Sequence, residues 1–449
     1  MVSFSKAQTV EHAGQYYEQH YSSKLGEYYA PTNDPIVGQV LGKGAEALGI
    51  AGGITAEQFD ALLRGRDPAS DTALRMKASR ADANQRAGWD CTISPPKSIS
   101  IQALVAGDTR LIEADRQAAM RAMQEAEACA MARQHSHREW VQSGNLIAVM
   151  FEHYDAREAL NSRHGPMPQL HHHFFMMNAT QLPDGEWRSL DPDQIFKSRP
   201  AIDAVYMSEL ARNVQQLGYS IVRGADGSFE LEGYTRKQIE AFSERGQDIK
   251  RIEAERGITN PKDARAIRLE TRQAKRRHDP NTLKAQREAL AVQQGIELSY
   301  RPTAPVQSFA ITPEIQAQQS LEFALRHATN RQAVVDHRDV LIAALRHGVG
   351  ATDLDHLQAH IKAQQSHGQL IAPGKTYLHP LGRYTTPEMI RLERENLAMM
   401  REGLNRGVPS PALLSAILPP ASSPVREGRR SANGRQTESC YPIRSMLPC

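Results

Sequence analysis

The sequence predicts an α+β fold, with an antiparallel sheet flanked by helices and a mostly helical partial domain after it. Two apolar runs, residues 145–153 and 170–178, have the length and composition of buried strands. A charged loop containing Gly165-Pro166 separates them, so we expect an antiparallel pair with a long connection. Before this pair, residues 108–132 are rich in alanine at helical spacing, which predicts a long helix.

Other elements can be predicted in chain order. The opening VSFS predicts a short strand, and Thr9 is the N-cap of a helix that carries Tyr16 and Tyr17. GWDCTISPPKSIS, residues 88–100, predicts a strand, a Pro-Pro turn and the start of a helix. Residues 200–218 predict a helix that ends at a glycine, and SIVRGADGSFELEGY after it predicts a β-hairpin.

Composition divides the chain into three parts. Residues 236–287 contain fifteen Lys and Arg on helical stretches, interleaved with acids, and a Pro/Ser/Thr-containing linker follows them. Helical runs such as SLEFALRHATNRQAVV come next, and the end is rich in Pro, Ser and Arg without periodicity. We therefore predict a first domain at 1–300, a mostly helical segment at 301–418 and a disordered tail at 419–449.

Composition and charge place few limits on function. The 449 residues suggest roughly two to four domains, and a net charge of +3 permits nucleic-acid binding without requiring it. The four cysteines form no CxxC pair, so neither a zinc knuckle nor a disulfide framework is indicated, and a reducing cytosol is expected. The N-terminus lacks an apolar signal region and no run is long enough to span a bilayer, which predicts a cytoplasmic protein.

Three histidines stand in a row within the apolar run PQLHHHFFMMNAT. Alternation along a strand puts His171 and His173 on one face and His172 on the other, unless the register slips by one residue. His153 ends the preceding strand, in phase with its inward-facing residues, and can meet His171 and His173 if the strands pair. Three imidazoles with open coordination positions suit a catalytic metal, although a single strand histidine, such as His172 or His164, is usually structural.

Two tyrosine pairs near the N-terminus, Tyr16-Tyr17 and Tyr28-Tyr29, are candidate nucleophiles. Tyrosine attacks poorly at its usual pKa of about 10. It becomes useful when a metal withdraws charge from a phosphodiester and a carboxylate or imidazole helps to remove the phenolic proton. The alternative is that these rings pack on amphipathic helices, as most such tyrosines do.

Several motifs in order carry a family resemblance: QYYEQHYSSKLGEYYA, GKGAEALGI, GWDCTISPPKSISIQALVAGD and FEH followed by PQLHHHFFMMNAT. Together they resemble the relaxase domain of the conjugative relaxase–helicases of the MobF class (TrwC/TraI type), which are tyrosine-type HUH endonucleases. The resemblance covers about residues 1–300 and implies an HUH/Rep-like palm fold. The later segments NRQAVVDHRDVLIAALRHGVG and YTTPEMIRLERENL resemble the start of the family's helicase part.

The resemblance implies a role for each matching residue. His153, His171 and His173 match the family's metal triad. Asp90 matches the acidic residue that orients a ligand imidazole or takes the phenolic proton, and Tyr16 matches the primary nucleophile.

The second tyrosine pair departs from the family pattern. Tyr28 resembles the tyrosine used for a second strand transfer, but the family's two pairs usually lie closer together, so Tyr21 is a rival. Tyr17 and Tyr29 are the other members of the two pairs, and which member of each pair acts stays open.

The implied reaction is a metal-dependent, ATP-independent nick in one strand at a plasmid origin of transfer. It leaves a 3′-OH and a 5′-phosphotyrosine link, and the reverse step rejoins the strand. We expect a divalent metal, with magnesium or manganese favoured by the resemblance and softer metals by the imidazole ligands. Expected partners are single-stranded and hairpin plasmid DNA, a type IV secretion coupling protein and relaxosome accessory proteins. The protein could be exported while attached to DNA.

Basic residues are candidates for DNA backbone contacts, and such contacts weaken with salt. A solvated helix face is the alternative for the last three, because acids are interspersed with them. The candidates are Lys97, Arg199, Lys275, Arg276 and Arg277.

One segment, GQLIAPGKTYLHP, superficially resembles a phosphate-binding loop. Five residues separate Gly368 from Gly-Lys-Thr where the motif needs four, so we expect a turn and no nucleotide. No other such motif occurs, and we hypothesise that the gene is truncated or frameshifted near residue 418. Two further alternatives are a non-catalytic DNA-binding remnant and a metal hydrolase of the cupin or amidohydrolase kind.

Overall fold

A computed structural model describes residues 1–18, 36–75, 78, 82–134, 139–160, 162–273, 276, 278–305 and 311–405. The described residues form an antiparallel sheet and many helices, which confirms the predicted α+β class. The strands are β1 (Val2–Phe4), β2 (Gln8–Thr9), β3 (Ile36–Leu41), β4 (Gly52–Thr55), β5 (Arg86–Ile93), β6 (Met131–Arg133), β7 (Trp140–Gln142), β8 (Ala148–Asp155), β9 (Pro168–Met177), β10 (Thr180–Gln181), β11 (Trp187–Arg188), β12 (Ile221–Arg223), β13 (Phe229–Leu231), β14 (Val335–Asp336) and β15 (Arg383–Tyr384).

The helices of the described part of the chain often begin at a side chain that accepts a backbone N–H, such as Thr55, Asn260 or Asp279. They are α1 (Val10–Glu18), α2 (Lys43–Ala47), α3 (Ala56–Leu63), α4 (Lys97–Leu104), α5 (Arg110–Ala128), α6 (Asp193–Lys197), α7 (Arg199–Gln216), α8 (Arg236–Ala241), α9 (Glu244–Glu255), α10 (Pro261–Glu270), α11 (Pro280–Gln293), α12 (Pro313–Thr329), α13 (His337–His347), α14 (Leu354–Ser366) and α15 (Pro387–Asn405).

A seven-stranded antiparallel sheet is the centre of the fold, in the order β1-β5-β9-β8-β3-β4 with β2 also paired to β5. Its central strands, β8 and β9, are the two apolar runs of the sequence. Their register sets His153 opposite His171 and Phe151 opposite His173. The hydrogen-bonded ladder extends beyond the apolar residues, so β8 continues to Asp155.

The two faces of the sheet have separate cores because side chains alternate along β9. Leu170, Phe174 and Met176 pack with residues of α4, α5 and α7. Phe175 and Met177 face the other way, into a core that includes residues of α1 and α3. The histidines at 171 and 173 are in phase with this second set, so the site lies on the α1 side of the sheet.

His172 points to the opposite face, as the alternation predicts. It is fully buried, and its Nε2 lies 2.9 Å from Asp115 Oδ2. The Tyr206 hydroxyl donates to the other oxygen of Asp115, which is also fully buried. These contacts provide hydrogen-bond partners for the buried carboxylate of Asp115, which lies between α5 and α7. They also keep the His172 ring on the face of the sheet opposite to its two neighbours.

Helices α12, α13 and α14 form a core together with α7. Ala204 and Val205 of α7 share a core with residues of α12, α13 and α14 such as Leu321 and Leu341. By its internal contacts the chain divides into one unit at Met1–Arg391 and a second at Leu392–Cys449. The predicted boundaries at 300 and 418 stay predictions, and the tail at 419–449 lies outside the described residues.

Two smaller predictions concern turns. The β-hairpin of β12 and β13 pairs Arg223 with Phe229, as expected around Asp226-Gly227. The segment that resembles a phosphate-binding loop forms turns, with Thr376 bridged to His379, and no helix begins at Lys375. Among the described residues, no helix is both long and apolar enough to cross a bilayer.

Candidate active site and metal centre

Three imidazoles converge on the α1 side of the sheet, from His153 on β8 and from His171 and His173 on β9. A potential ligand atom from each lies within 4.8 Å of the other two. The ring centroids are 5.1 to 5.3 Å apart, and all three rings are inclined to one another. The structure thus brings together the three residues that the sequence proposed as a cluster.

The hydrogen bonds of two of these rings fix which nitrogen can bind a metal. His173 Nδ1 lies 2.9 and 3.0 Å from the two carboxylate oxygens of Asp90. His171 Nδ1 lies 2.9 Å from the carbonyl oxygen of Gln169, which can only accept, so this nitrogen carries the proton. Nε2 of each ring is then the available lone pair. Neutral imidazoles oriented in this way fit a divalent cation and leave coordination positions open.

Asp90 connects the metal ligands to the N-terminal helix. Besides His173, it accepts hydrogen bonds from the Tyr17 hydroxyl at 2.8 Å and from Thr92 Oγ1 at 3.0 Å. Burial by itself raises the pKa of Asp90, but His173 and the two hydroxyl donors outweigh it and hold the pKa below its usual value. Asp90 is therefore an ionised carboxylate that orients His173.

The two adjacent tyrosines of α1 have different surroundings because helix neighbours point about 100° apart. Tyr17 is fully buried, stacks on Phe151 at 4.4 Å and meets Phe59 and Phe175 edge-on. Burial and the Asp90 charge raise the pKa of Tyr17 well above its usual value. Tyr17 is thus a core residue whose hydroxyl is committed to Asp90.

Tyr16 is the partly exposed member of the pair. Its ring centroid lies 6.2 Å from that of His173, at the side of the imidazole cluster. Burial and the Asp90 charge raise the pKa of Tyr16 to about 12, against opposing effects from Arg157 and Arg272, of which Arg157 is also hydrogen-bonded to the phenol. Tyr16 is therefore the less buried phenol of the pair and lies at the side of the imidazole cluster.

Sequence reasoning missed a group of three arginines, of which Arg157 and Arg272 act on the Tyr16 phenol and Arg245 lies near both. Arg157 follows β8 and donates to Gln273 O at 3.3 Å, while Arg245 of α9 donates to Thr271 O at 3.0 Å. Burial, followed by repulsion from Arg157 and Arg272, lowers the pKa of Arg245. Three guanidinium groups from separate elements thus form a positive region. The available signals were the position of Arg157, four residues after a proposed ligand, and the segment FSERGQDI (residues 242–249), which contains Arg245.

The residues proposed for DNA contact are scattered. Arg199 is exposed at the start of α7, a helix of the opposite face of the sheet, and Arg276 is exposed in the loop before α11. Lys275 and Arg277 lie outside the described residues, as do Tyr21, Tyr28 and Tyr29.

For Lys97 the structure corrects the sequence-based role. Its ammonium donates to Pro168 O at 2.9 Å and to Gln169 Oε1 at 2.6 Å instead of facing solvent as a phosphate contact would. Burial lowers its pKa to about 7. The sequence could not reveal this, because the acceptors belong to a strand some seventy residues later in the chain.

An antiparallel palm that holds a histidine triad beside a helix-borne tyrosine defines a protein of the HUH type, in which a metal and a phenol act on a phosphodiester. A family model described as TrwC relaxase matches residues 10–294. The chain therefore belongs to the TrwC relaxase family, which is of the MobF type.

Relatives and solved structures agree with this family. The multifunctional conjugation protein TraI of Escherichia coli is 32% identical over 366 residues, which is 76% of this chain and 19% of TraI. TraI of strain K12 is 31% identical over 368 residues, with the same coverage. The chain thus spans about a fifth of the length of these relatives.

Solved structures of the conjugative relaxase TrwC match the chain at TM-scores near 0.6. A copper-bound complex of TrwC with oriT DNA gives a TM-score of 0.58 at 36% identity, over 67% of this chain and all of that one. TrwC with a 27-mer DNA comprising the recognition hairpin and cleavage site gives 0.57 at 34%, with the same coverage.

We expect Asp90→Asn to weaken metal binding by about 10–100-fold, because the oriented carboxylate fixes the His173 tautomer and raises its basicity. Calorimetric titration with Mn²⁺ measures this change. Thr92→Val is the matched control, since it removes a hydroxyl that donates to Asp90 and lies 3.3 Å from His173 Nδ1, but keeps the carboxylate that is bound to His173. Equal affinities for wild type and Asp90→Asn would contradict the orienting role.

Proposed function

We propose that this chain nicks one DNA strand at a plasmid transfer origin, with Tyr16 as the nucleophile and His153, His171 and His173 as the metal ligands. The observation that carries the proposal is the position of Tyr16, the partly exposed tyrosine of its pair, beside the imidazole cluster and Asp90. The TrwC complexes with oriT DNA, in metal-free and metal-bound forms, support the substrate and the cation.

In the proposed step, the Tyr16 oxygen bonds to the scissile phosphorus and the bond from phosphorus to the 3′ oxygen breaks. The phenolic proton is lost and the departing oxygen gains one, which leaves a 3′-OH and a 5′-phosphotyrosine. Because a phosphodiester replaces a phosphodiester, the reverse reaction rejoins the strand without ATP. A divalent cation held by the three imidazoles would supply charge neutralisation at the non-bridging phosphate oxygens.

The surrounding residues favour this step through charge and position. Arg157, hydrogen-bonded to Tyr16, stabilises the phenolate as the proton leaves. Arg157, Arg245 and Arg272 together attract the DNA backbone to the nucleophile, so binding weakens as salt rises. Asp90 orients His173, and Tyr17 fixes α1 by donating to the same carboxylate.

Several finer assignments belong to the proposal and rest on the family. Tyr28 is the proposed second-transfer tyrosine, with Tyr21 as its rival. Arg276, Lys275 and Arg277 remain proposed backbone contacts. Magnesium or manganese is the proposed cation and no nucleotide is needed. A type IV coupling protein and relaxosome accessory proteins are the proposed partners of a cytoplasmic enzyme that leaves the cell attached to DNA.

A covalent-adduct assay tests the proposal. The chain is mixed with single-stranded oligonucleotides that tile the intergenic DNA beside its gene, each labelled at either end, with and without a divalent cation. We expect an SDS-resistant adduct that needs the cation and carries the 3′-end label, because the phosphate stays on the 5′ end of the downstream fragment and joins that fragment to the tyrosine.

Other outcomes distinguish the alternatives. Tight binding without an adduct on any oligonucleotide would favour a non-catalytic DNA-binding remnant. Turnover of small esters or amides that is indifferent to both tyrosine pairs would favour a metal hydrolase. An adduct that carries the 5′-end label would overturn the proposed polarity of attack.

A further inference from the structure

The connection between β8 and β9 is long, yet its two ends must place His153 and His171 opposite each other. The paired register is regular up to this pair and becomes irregular between His153 and Asp155, where Asp155 next pairs with Pro168. A β-bulge loosens the hydrogen-bonded ladder and lets a strand end re-aim its side chains. Ladder hydrogen bonds therefore do not by themselves fix the backbone next to the two ligands.

Two cationic side chains bind this irregular region. The guanidinium of Arg287, a buried residue of α11, donates to the Asp155 carboxylate and to Pro166 O. The ammonium of Lys97, the first residue of α4, donates to Pro168 O at 2.9 Å and to Gln169 Oε1 at 2.6 Å. We call Lys97 and Arg287 the cationic clamp.

The clamp is connected to a metal ligand through one residue. Gln169, whose side chain Lys97 holds, has its own carbonyl 2.9 Å from His171 Nδ1. Rotation of the Gln169 peptide would remove the acceptor that sets the His171 tautomer. Lys97 is therefore connected to His171 through Gln169. In other metal sites, residues outside the coordination sphere orient the ligands through contacts of this kind.

We propose that Lys97 and Arg287 are positioning residues for the metal centre, which set the orientation of His171 and its spacing from His153. This inference rests on the proposed metal site. His171 is then oriented by the Gln169 carbonyl and, beyond it, by the Lys97 ammonium. His173 is oriented by the Asp90 carboxylate. It also explains why a lysine after the Pro-Pro turn is directed into the protein.

The test compares Lys97→Met with wild type in the full chain, with Mn²⁺ binding measured by calorimetry and Cu²⁺ coordination by electron paramagnetic resonance. We expect Mn²⁺ affinity to fall by about tenfold, the lower end of the range for outer-sphere partners. We also expect an altered Cu²⁺ spectrum, and partial recovery of both in Lys97→Arg, which keeps a cationic donor.

Lys43→Met is the matched control, because Lys43 also begins a helix but is exposed. A lower melting temperature in Lys97→Met, with wild-type affinity and spectrum, would show a structural role only and overturn the inference. If wild type binds no Mn²⁺, the metal centre itself fails instead.

A second variant serves if Lys97→Met does not fold. Gln169→Met removes the side-chain acceptor and keeps the carbonyl that faces His171. We expect it to weaken Mn²⁺ binding in the same direction as Lys97→Met. When both variants fold, their effects should be less than additive, since they break one shared contact. Wild-type affinity in Gln169→Met would overturn the path through Gln169.

Discussion

Replacement of Tyr16 by phenylalanine is expected to reduce the covalent adduct by at least about 10³-fold, because Tyr16 is the proposed source of the attacking oxygen for the first cleavage. Metal affinity should stay close to that of wild type, since Tyr16 is not a member of the imidazole cluster. Quantitative gel analysis of SDS-resistant adduct against time measures the first quantity, and Mn²⁺ calorimetry measures the second.

Tyr17→Phe is the matched control for this experiment. It removes an adjacent hydroxyl from the same helix and leaves Asp90 with one donor fewer, which should cost about 1–3 kcal/mol of folding free energy. Adduct formation should persist below the melting temperature. An adduct lost in Tyr17→Phe and kept in Tyr16→Phe would reverse the assignment of the nucleophile.

His171→Ala is expected to weaken Mn²⁺ binding by at least about 100-fold and to reduce adduct formation to the level seen with a chelator. The reason is that only two imidazoles would then remain to hold the cation. His173→Ala should behave in the same way and should also release the Asp90 carboxylate from its partner. Calorimetry and the adduct assay, both below the melting temperature, measure these losses.

The substitution His172→Gln tests whether His172 differs in role from the proposed ligands on either side of it, His171 and His173. Its imidazole lies on the other face, against Asp115, so the substitution should lower the free energy of unfolding by about 1–3 kcal/mol and leave metal binding intact. Loss of metal in His172→Gln, with normal binding in His171→Ala, would mean that β9 pairs in a register shifted by one residue.

Strand periodicity made the fold and the imidazole cluster predictable. Hydrophobic alternation along β9 assigns 171 and 173 to one face, and β8 ends in phase with them, so the convergence of the three rings follows from a period of two. The fold class was predictable because both central strands are continuous apolar runs in the sequence.

Contacts between distant elements were not predictable in this way. Nothing local distinguishes Tyr16 from Tyr17, whose separate surroundings come from the packing of α1 on Phe151 and Phe175. Arg157 lies far along the chain from Arg245 and Arg272, so no single segment of the sequence contains all three arginines. Lys97 looked like a surface cation because its acceptors, on β9, lie far along the chain.

The shared carboxylate of Asp90 has a consequence for the reaction as a whole. It binds Tyr17 of α1 and His173 of β9 at once, so the helix that carries Tyr16 and the strand that carries two of the proposed metal ligands are held at one point. A DNA end joined to Tyr16 would remain next to the groups that made the break. Resealing would then require only that a free 3′ end returns to the site. The 5′ end of the attached strand would stay beside the catalytic groups wherever the rest of that strand moves.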